Sequence, residues 1–266
     1  MRIAVAQISC ALGDVTANLS KIREFSSDAK KRGADVIVFP EMADTGYSMP
    51  VIKTKAGRWS EGAVPELRRI ARELSLLVVS GVSERVEERI YNSQIVIDAN
   101  GGLVAQYRKA HLFAASPIAE DRTCSPGQKL GSFAAGSLKF GLSICYDLRF
   151  PELYRSLVLS DNVNVFILSS AWPFPRVEHF RILATARAIE NQSYFIVANR
   201  VGTDDGVTFC GSSVIIDPYG VVLAAAATDR EELLIVDISY DTVSSIRQQM
   251  AVFAHRRPEL YNEDGV

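Results

Sequence analysis

The chain is short of the residues that build metal sites and disulfide frameworks. It has four cysteines and three histidines in 266 residues. Cys10, Cys124, Cys145 and Cys210 contain no Cys-x-x-Cys pair, and His111, His179 and His255 are scattered. Neither pattern has the spacing of a zinc site, so no metal is expected. There is no basic block either: 29 Lys and Arg stand against 31 Asp and Glu, a formal net charge of −2. Nucleic acid and anionic membrane surfaces are therefore not expected partners. No run approaches the roughly 18 apolar residues of a membrane span. Met1 to Gln7 passes directly into a strand-like pattern, without the apolar stretch and cleavage site of a secretory signal. The expected location is the cytoplasm, where disulfides are rare. No Gly-x-Gly-x-x-Gly fingerprint is present, which argues against a nucleotide-binding protein.

What is present is the composition of an ordinary globular protein, with 48% hydrophobic and 23% charged residues. The length suits one α/β domain spanning residues 1–266, with a C-terminal tail from about 250. Arg2 to Ile8 reads as a strand. A helical stripe of Leu19, Ile22, Phe25 and Ala29 follows, with Gly33 at its C-cap. Asp35 to Phe39 is a short, continuously apolar strand of the buried kind, ending at Pro40-Glu41. Pro65 opens a second helix, and Leu76 to Val82 is a strand. Glu84 to Arg89 reads as a solvated turn before the strand Tyr91 to Asp98. Asn100-Gly101-Gly102 turns the chain back into Leu103 to Tyr107, which runs out at Arg108-Lys109. Residues 114–131 form a loop. A hairpin of Phe133 to Ala135 and Leu138 to Ile144 then leads to Cys145.

A helix over 151–160, a strand over 163–168, a helix over 177–191 and a strand over 194–198 come next. A hairpin closes over Asp217 to Gly220, Glu232 to Ile238 is the last strand, and Asp241 caps a short helix. Strands and helices alternate and antiparallel hairpins intrude. That predicts a mixed sheet system with helices outside.

Cys145 stops an apolar run, Lys139 to Ile144, and precedes Pro151 and a helical pattern. A strand end facing a helix N-terminus is where α/β proteins bind ligands, and such a site favours a thiolate nucleophile. A buried structural cysteine is the alternative, the usual fate of a free thiol. Glu41 and Lys109 stand at two other strand ends. A base, a cation and a nucleophile together suggest acyl transfer. Taken singly, such a Glu or Lys is more often a solvated surface residue.

These residues carry a resemblance. Val38-Phe39-Pro40-Glu41 with Thr45-Gly46-Tyr47, Tyr107 to Phe113, and Gly141 to Leu153 resemble the carbon–nitrogen hydrolase (nitrilase) superfamily over nearly the full length. Ala186 to Gln192, Asn199 to Gly202 and Gly211 to Gly220 also match. The resemblance implies a four-layer αββα sandwich and a Glu-Lys-Cys triad. Glu41 would be general base and acid, Lys109 the oxyanion stabiliser and Cys145 the nucleophile. It further implies that Glu120 positions substrate and Lys109, and that the Tyr146 backbone N–H is a second oxyanion donor. No cofactor is implied. The reaction is hydrolysis of a small linear amide through a cysteine thioester. A nitrilase or an N-carbamoyl hydrolase is the alternative within enzymes, and a non-catalytic binding protein outside them.

Cys145-Tyr146-Asp147-Leu148-Arg149 resembles the amidase branches, including the omega-amidases, rather than the Cys-Trp-Glu of nitrilases. Ala114 departs from the Asp that many relatives carry there, which puts local loop geometry in doubt. Tyr47, Phe113, Tyr146 and Trp172 flank the triad strand ends and are pocket candidates. Arg149 suits a substrate carboxylate or an ion pair with Glu152. Arg187, Glu190 and Asn191 read as buried polar support, and His111 as structural. The resemblance also implies a homodimer or larger assembly, with the helix after Cys145 and the tail at 250–261 at the interface.

Overall fold

The computed structural model describes residues 1–260. The first half begins β1 (Arg2–Gln7), α1 (Val15–Lys31), β2 (Val36–Val38), with β2 parallel to β1. Asp14 caps α1 by accepting from Ala17 N at 3.0 Å, and Gly33 follows its end at φ +80°. That left-handed backbone suits glycine. Then come α2 (Met49–Lys55), α3 (Ala63–Leu74), β3 (Leu77–Val86), β4 (Arg89–Ile97) and β5 (Leu103–Arg108). The second half holds β6 (Gly131–Ala135), β7 (Leu138–Ile144), α4 (Pro151–Asp161), β8 (Val165–Ser170), α5 (Val177–Asn191) and β9 (Tyr194–Asn199). The two-residue strands β10 (Thr203–Asp204) and β11 (Val207–Thr208) precede β12 (Val214–Ile216), β13 (Val222–Ala225), β14 (Glu232–Asp237) and α6 (Tyr240–Gln249).

The long strands form two six-stranded sheets, β14-β1-β2-β3-β4-β5 and β13-β12-β9-β8-β7-β6. Each has three parallel strands at its centre and antiparallel strands outside. The period-two alternation of side chains explains the layering. Ile3, Val5, Val36, Val38 and Val79 point inward and share one core with Phe140, Leu142, Phe166 and Leu168 of the other sheet. Their neighbours Ala4, Ala6, Ile37 and Val78 point outward, against Ile22 and Ala29 of α1 and Leu67 and Ile70 of α3. On the far side, Leu153, Tyr154 and Leu157 of α4 and Phe180, Ala184 and Ala188 of α5 cover the second sheet. The result is the expected four-layer αββα sandwich. Among the described residues, no helix is long and apolar enough to cross a membrane.

Several local expectations are corrected. The solvated turn expected over Glu84 to Arg89 is confined to Glu87 and Glu88: β3 continues to Val86, β4 starts at Arg89, and Glu84 is 2% exposed. Its carboxylate accepts from Arg108, Ser93 and the Trp59 indole, so a charge read as surface is a buried acceptor. Helix α2 has too few turns to show periodicity and was not expected. Ser239, not Asp241, caps α6, its hydroxyl accepting from Asp241 N at 3.2 Å. The apolar face of α4 is not free for a partner, because Leu153, Tyr154, Leu157 and Val158 are buried in the chain's own core. The exposed apolar residues on α4 and α5 are Leu159, Ile182 and Ile189. Of the tail, Phe253 lies against Arg155 and Arg247 at 5.0 and 5.2 Å, while Tyr261 onward is outside the described residues.

The strands deliver Glu41, Lys109 and Cys145 to one edge of the sandwich, just past the ends of β2, β5 and β7. Gly81 of β3 lets the Glu41 segment pass close. A Cβ there would lie 2.5 Å from both Glu41 Cα and Pro40 O. Gly81→Ala is therefore expected to lose about 2–3 kcal/mol of stability in urea denaturation. A loss below about 0.5 kcal/mol would show that the close approach is not maintained.

Candidate active site

The site is built around an ammonium. Lys109 Nζ, fully buried, lies 2.9 Å from Glu41 Oε1 and 2.7 Å from Glu120 Oε2. Asn92, from the neighbouring strand β4, donates its Nδ2 to Glu41 Oε1 and Glu120 Oε1, each at 2.6 Å. Glu41 Oε2 accepts from Ala171 N at 2.8 Å, which ties it to the end of β8. Glu120 Oε2 also accepts from Phe113 N at 2.9 Å. Glu120 opens a 3-10 turn, Glu120–Arg122, inside the long loop, and its own N–H donates to Phe113 O at 2.9 Å. The loop is thus pinned from both directions at Phe113. Ala114 beside it is exposed, so the departure at that position faces solvent.

Cys145 occupies a different local structure from the simple strand end expected. It starts a 3-10 turn, Cys145–Arg149, before α4, and its φ is +43°. A non-glycine residue held at positive φ costs of order 1–3 kcal/mol and persists only where surrounding contacts fix it. Asp147 supplies them. Its carboxylate, fully buried, accepts from Ile144 N at 2.9 Å, the residue before the cysteine. It also accepts from Tyr107 Oη at 2.8 Å and from His111 N and Nδ1 at 3.2 and 2.8 Å. Tyr107 Oη in turn accepts from Ala110 N at 3.0 Å. One carboxylate therefore holds the Cys145 turn and both sides of Lys109. His111 stacks on Phe150, with ring centroids 3.7 Å apart, and belongs to this support. Arg187 completes it from α5, donating to Leu148 O at 3.1 Å and pairing with Glu190 at 3.0 Å.

The electrostatics follow from burying two carboxylates with one ammonium. Burial raises the pKa of Glu41; Lys109 opposes that shift and Glu120 adds to it. Burial works against the Lys109 ammonium, but Glu120 and Glu41 together outweigh it and hold its pKa well above the usual value. Burial and the neighbouring Glu41 raise the Cys145 thiol, with Lys109 offsetting only part. The expectation of a resting thiolate is therefore corrected. The cysteine rests as a thiol beside a carboxylate of raised basicity. Cys10, Cys124 and Cys210 are also pushed up by burial, to about 11, about 12 and about 11.

Cys145 opens on a pocket lined also by Tyr47, Phe113, Ile118, Tyr146, Arg149, Ala171, Trp172, Pro173 and Arg176, enclosing about 310 Å³ with its open mouth. The candidates Tyr47, Phe113, Tyr146, Arg149 and Trp172 all belong to it. The Tyr47 phenol is held well above its usual pKa by burial and stays protonated. Arg149 does not pair with Glu152; its guanidinium lies 4.9 Å over the Trp172 ring and reaches His179 Nδ1 at 3.3 Å. Asn92, Asp147, Tyr107, Ile118 and Arg176 were not singled out from the sequence. Asn92 and Tyr107 could have been found, since each stands on a strand beside Lys109. Among the described residues, no group of His, Cys, Asp and Glu side chains is arranged to hold a metal ion.

The family model described as carbon-nitrogen hydrolase matches residues 2–248. The chain is 34% identical over 260 residues to the 2-oxoglutaramate amidase of Bacillus subtilis strain 168, covering 97% of this chain and 98% of that protein. It is 30% identical over 264 residues to the omega-amidase NIT2 of Homo sapiens, covering 96% and 94%. Among solved structures it superposes on a mutant of the amidase from Nesterenkonia sp. AN1 in complex with butyramide. That match has a TM-score of 0.85 and 26% identity, and covers 98% of this chain and 95% of the other.

The Asp147 hub makes a graded stability prediction. Tyr107→Phe removes one donor and is expected to cost about 1 kcal/mol. Asp147→Ala leaves several buried donors unmatched and is expected to cost about 3 kcal/mol or more. Chemical denaturation of the two variants measures both; equal effects would mean that Asp147 is not the shared acceptor.

Proposed function

The chain belongs to the carbon-nitrogen hydrolase family, whose enzymes hydrolyse C–N bonds, and on that footing we propose that it is an amidase. It converts a small linear carboxamide to the carboxylic acid and ammonia. The observation that carries the reading is the closed cluster of Glu41, Lys109 and Glu120, with Glu41 and Lys109 acting electrostatically on the Cys145 thiol that lines the pocket. The names of the relatives support an amide as substrate.

The geometry gives each group a task. Cys145 Sγ attacks the amide carbon, a C–S bond forms, and the thiol proton passes to Glu41. The raised pKa of Glu41 suits it to take a proton from a thiol that does not ionise by itself. Lys109, kept charged by its two carboxylates, stabilises the oxyanion together with the Tyr146 N–H. Glu41 returns the proton to the nitrogen as the C–N bond breaks, and ammonia leaves. Water then attacks the thioester, giving its proton to Glu41. The C–S bond breaks, the acid departs, and the proton returns to the thiolate. Glu120 and Asn92 hold Lys109 and Glu41 in register through this exchange. The whole of residues 1–266 serves as one hydrolase domain in this reading. A homodimer or larger assembly would cover Leu159, Ile182 and Ile189, and sedimentation measures it.

Two outcomes test the mechanism. Cys145→Ala is expected to fold normally and release no ammonia from butyramide, while the unaltered protein shows an acyl adduct on Cys145 by intact-mass spectrometry. Full activity in the variant removes the assignment. A general base must be ionised, so kcat/KM falls as pH drops through the pKa of Glu41. Because burial raises that pKa, the acidic limb is expected above the ordinary glutamate value of 4.5. Glu41→Gln is expected to abolish that limb and lower kcat by about 10²-fold or more. A limb at or below 4.5 would assign the base elsewhere.

A further inference from the structure

We propose that Ser170 is a further catalytic residue, whose hydroxyl donates a hydrogen bond to Cys145 Sγ whenever the reaction leaves that sulfur negatively charged. This role rests on the amidase reading for the reaction and adds a group which that reading leaves unused.

Sheet register places it. β7 and β8 run parallel, and Ile144 pairs with Ser169. One step further along the two strands stand Cys145 and Ser170. Ser170 is fully buried, and its carbonyl accepts from Arg200 N at 3.2 Å. Its Oγ has no hydrogen-bond partner among the described residues. A buried hydroxyl in that state costs stability, and native proteins keep few of them. The hydroxyls of Ser26 and Tyr154 are buried without a partner too, so that feature alone does not mark a site. Position does. Ser26 belongs to α1 and Tyr154 to α4, whereas the pairing of β7 with β8 sets Ser170 beside the nucleophile.

The residues on either side of Ser170 are already engaged. Ser169 Oγ donates to Phe39 O at 2.8 Å, two residues before Glu41. Ala171 N donates to Glu41 Oε2 at 2.8 Å. The end of β8 thus holds the base from both sides of Ser170 and leaves the hydroxyl between them for the nucleophile. Burial and Glu41 push the Cys145 thiol up, while Lys109, the Ser170 hydroxyl and Ala171 N–H pull it back. A thiol sulfur accepts hydrogen bonds weakly, and an anionic acceptor takes them strongly. The donor is therefore idle at rest and engaged when charge develops, as a preorganised transition-state donor must be. Two steps use it. In the first, the S–H proton passes to Glu41 as the C–S bond forms. In the second, the C–S bond of the acyl-enzyme breaks and its electron pair returns to sulfur. Ser170 keeps its own proton throughout, and no bond to its oxygen forms or breaks.

Ser170→Ala deletes the one oxygen in question. Because that oxygen has no partner at rest, the urea midpoint is expected to stay the same or rise. With butyramide, kcat is expected to fall by about tenfold or more while KM changes little, since the bond forms only as charge reaches the sulfur. Alkylation of Cys145 by iodoacetamide, followed by mass spectrometry of its peptide across a pH series, is expected to slow by about tenfold at each pH, because less thiolate is present. Ser170→Thr retains a hydroxyl and is expected to recover part of both rates. Unchanged alkylation in Ser170→Ala overturns the role, as does unchanged kcat. A lowered urea midpoint overturns it too, because the hydroxyl would then be bonded in the resting fold. Alkylation needs no amide. Slower alkylation in Ser170→Ala, restored in part by Ser170→Thr, supports the Ser170 bond even if butyramide is not hydrolysed at all. Alkylation at the wild-type rate removes it even if the amidase reading holds.

Discussion

The ammonium of Lys109, enclosed by Glu41, Glu120 and the amide of Asn92, is the constraint to which the site is built. Three ionised groups out of contact with water are costly unless each finds its partner. Lys109 has two acceptors at hydrogen-bond distance, and Asn92 joins the two carboxylates by donating to Glu41 Oε1, the oxygen Lys109 also bonds, and to Glu120 Oε1. The four side chains come from the end of β2, from β4, from beyond β5 and from the long loop. Their satisfaction therefore requires that β2, β4 and β5 be in register and that the loop return. Gly127 makes the return possible: its N–H donates to Lys109 O at 2.8 Å, and a Cβ there would lie 2.1 Å from Arg108 O. Tight approach of backbones at Gly81 and Gly127 is what lets charged groups from separate elements meet.

Cys145 is held to this cluster from the other sheet. Its positive φ turns the thiol out of the β7 direction, and Asp147 retains the turn through Ile144 N. The same carboxylate takes Tyr107 and His111, the residues that straddle Lys109. So the sheet bearing the cysteine and the sheet bearing the lysine share one buried acceptor. A neutral thiol and a raised carboxylate follow from the burial that this arrangement imposes. The proton is exchanged within the pair, and neither member needs a standing charge of its own beyond the one Lys109 already balances.

Much of this was legible in the sequence, for physical reasons. The buried parallel strands β2 and β7 are continuous apolar runs that stop just before Glu41 and Cys145, and the antiparallel edge strand β5 runs out at Lys109, so the three stood out as strand ends. The alternation of β-α-β units and hairpins predicted mixed sheets with helices outside, and the four-layer arrangement came from the family resemblance. Glu84 was misread because a charge run in a connection resembles a solvated turn; only the return of Arg108 alongside it reveals a buried acceptor. Helix α2 lacked the length to show a period. The thiolate expectation failed because the sequence displays the cation beside Cys145 but not the degree of burial, which here outweighs it.

The division between what was readable and what was not follows the division of labour in the pocket. Its floor is made by strand ends and by residues bonded to them, and such positions are fixed by sheet register. Its mouth is made by segments that follow those ends: Phe113 and Ile118 in the long loop, and Trp172 to Arg176 before α5. Residues there are placed by turns and by contact with one another, as Arg176 is by Trp172 and Phe113. A sequence pattern that reports periodicity has little to say about them. Chemistry at Cys145 depends on the floor, whereas the choice of acyl group depends on the mouth. The pocket can thus keep one reaction constant while the loops above it set which carboxamide is brought to the thiol.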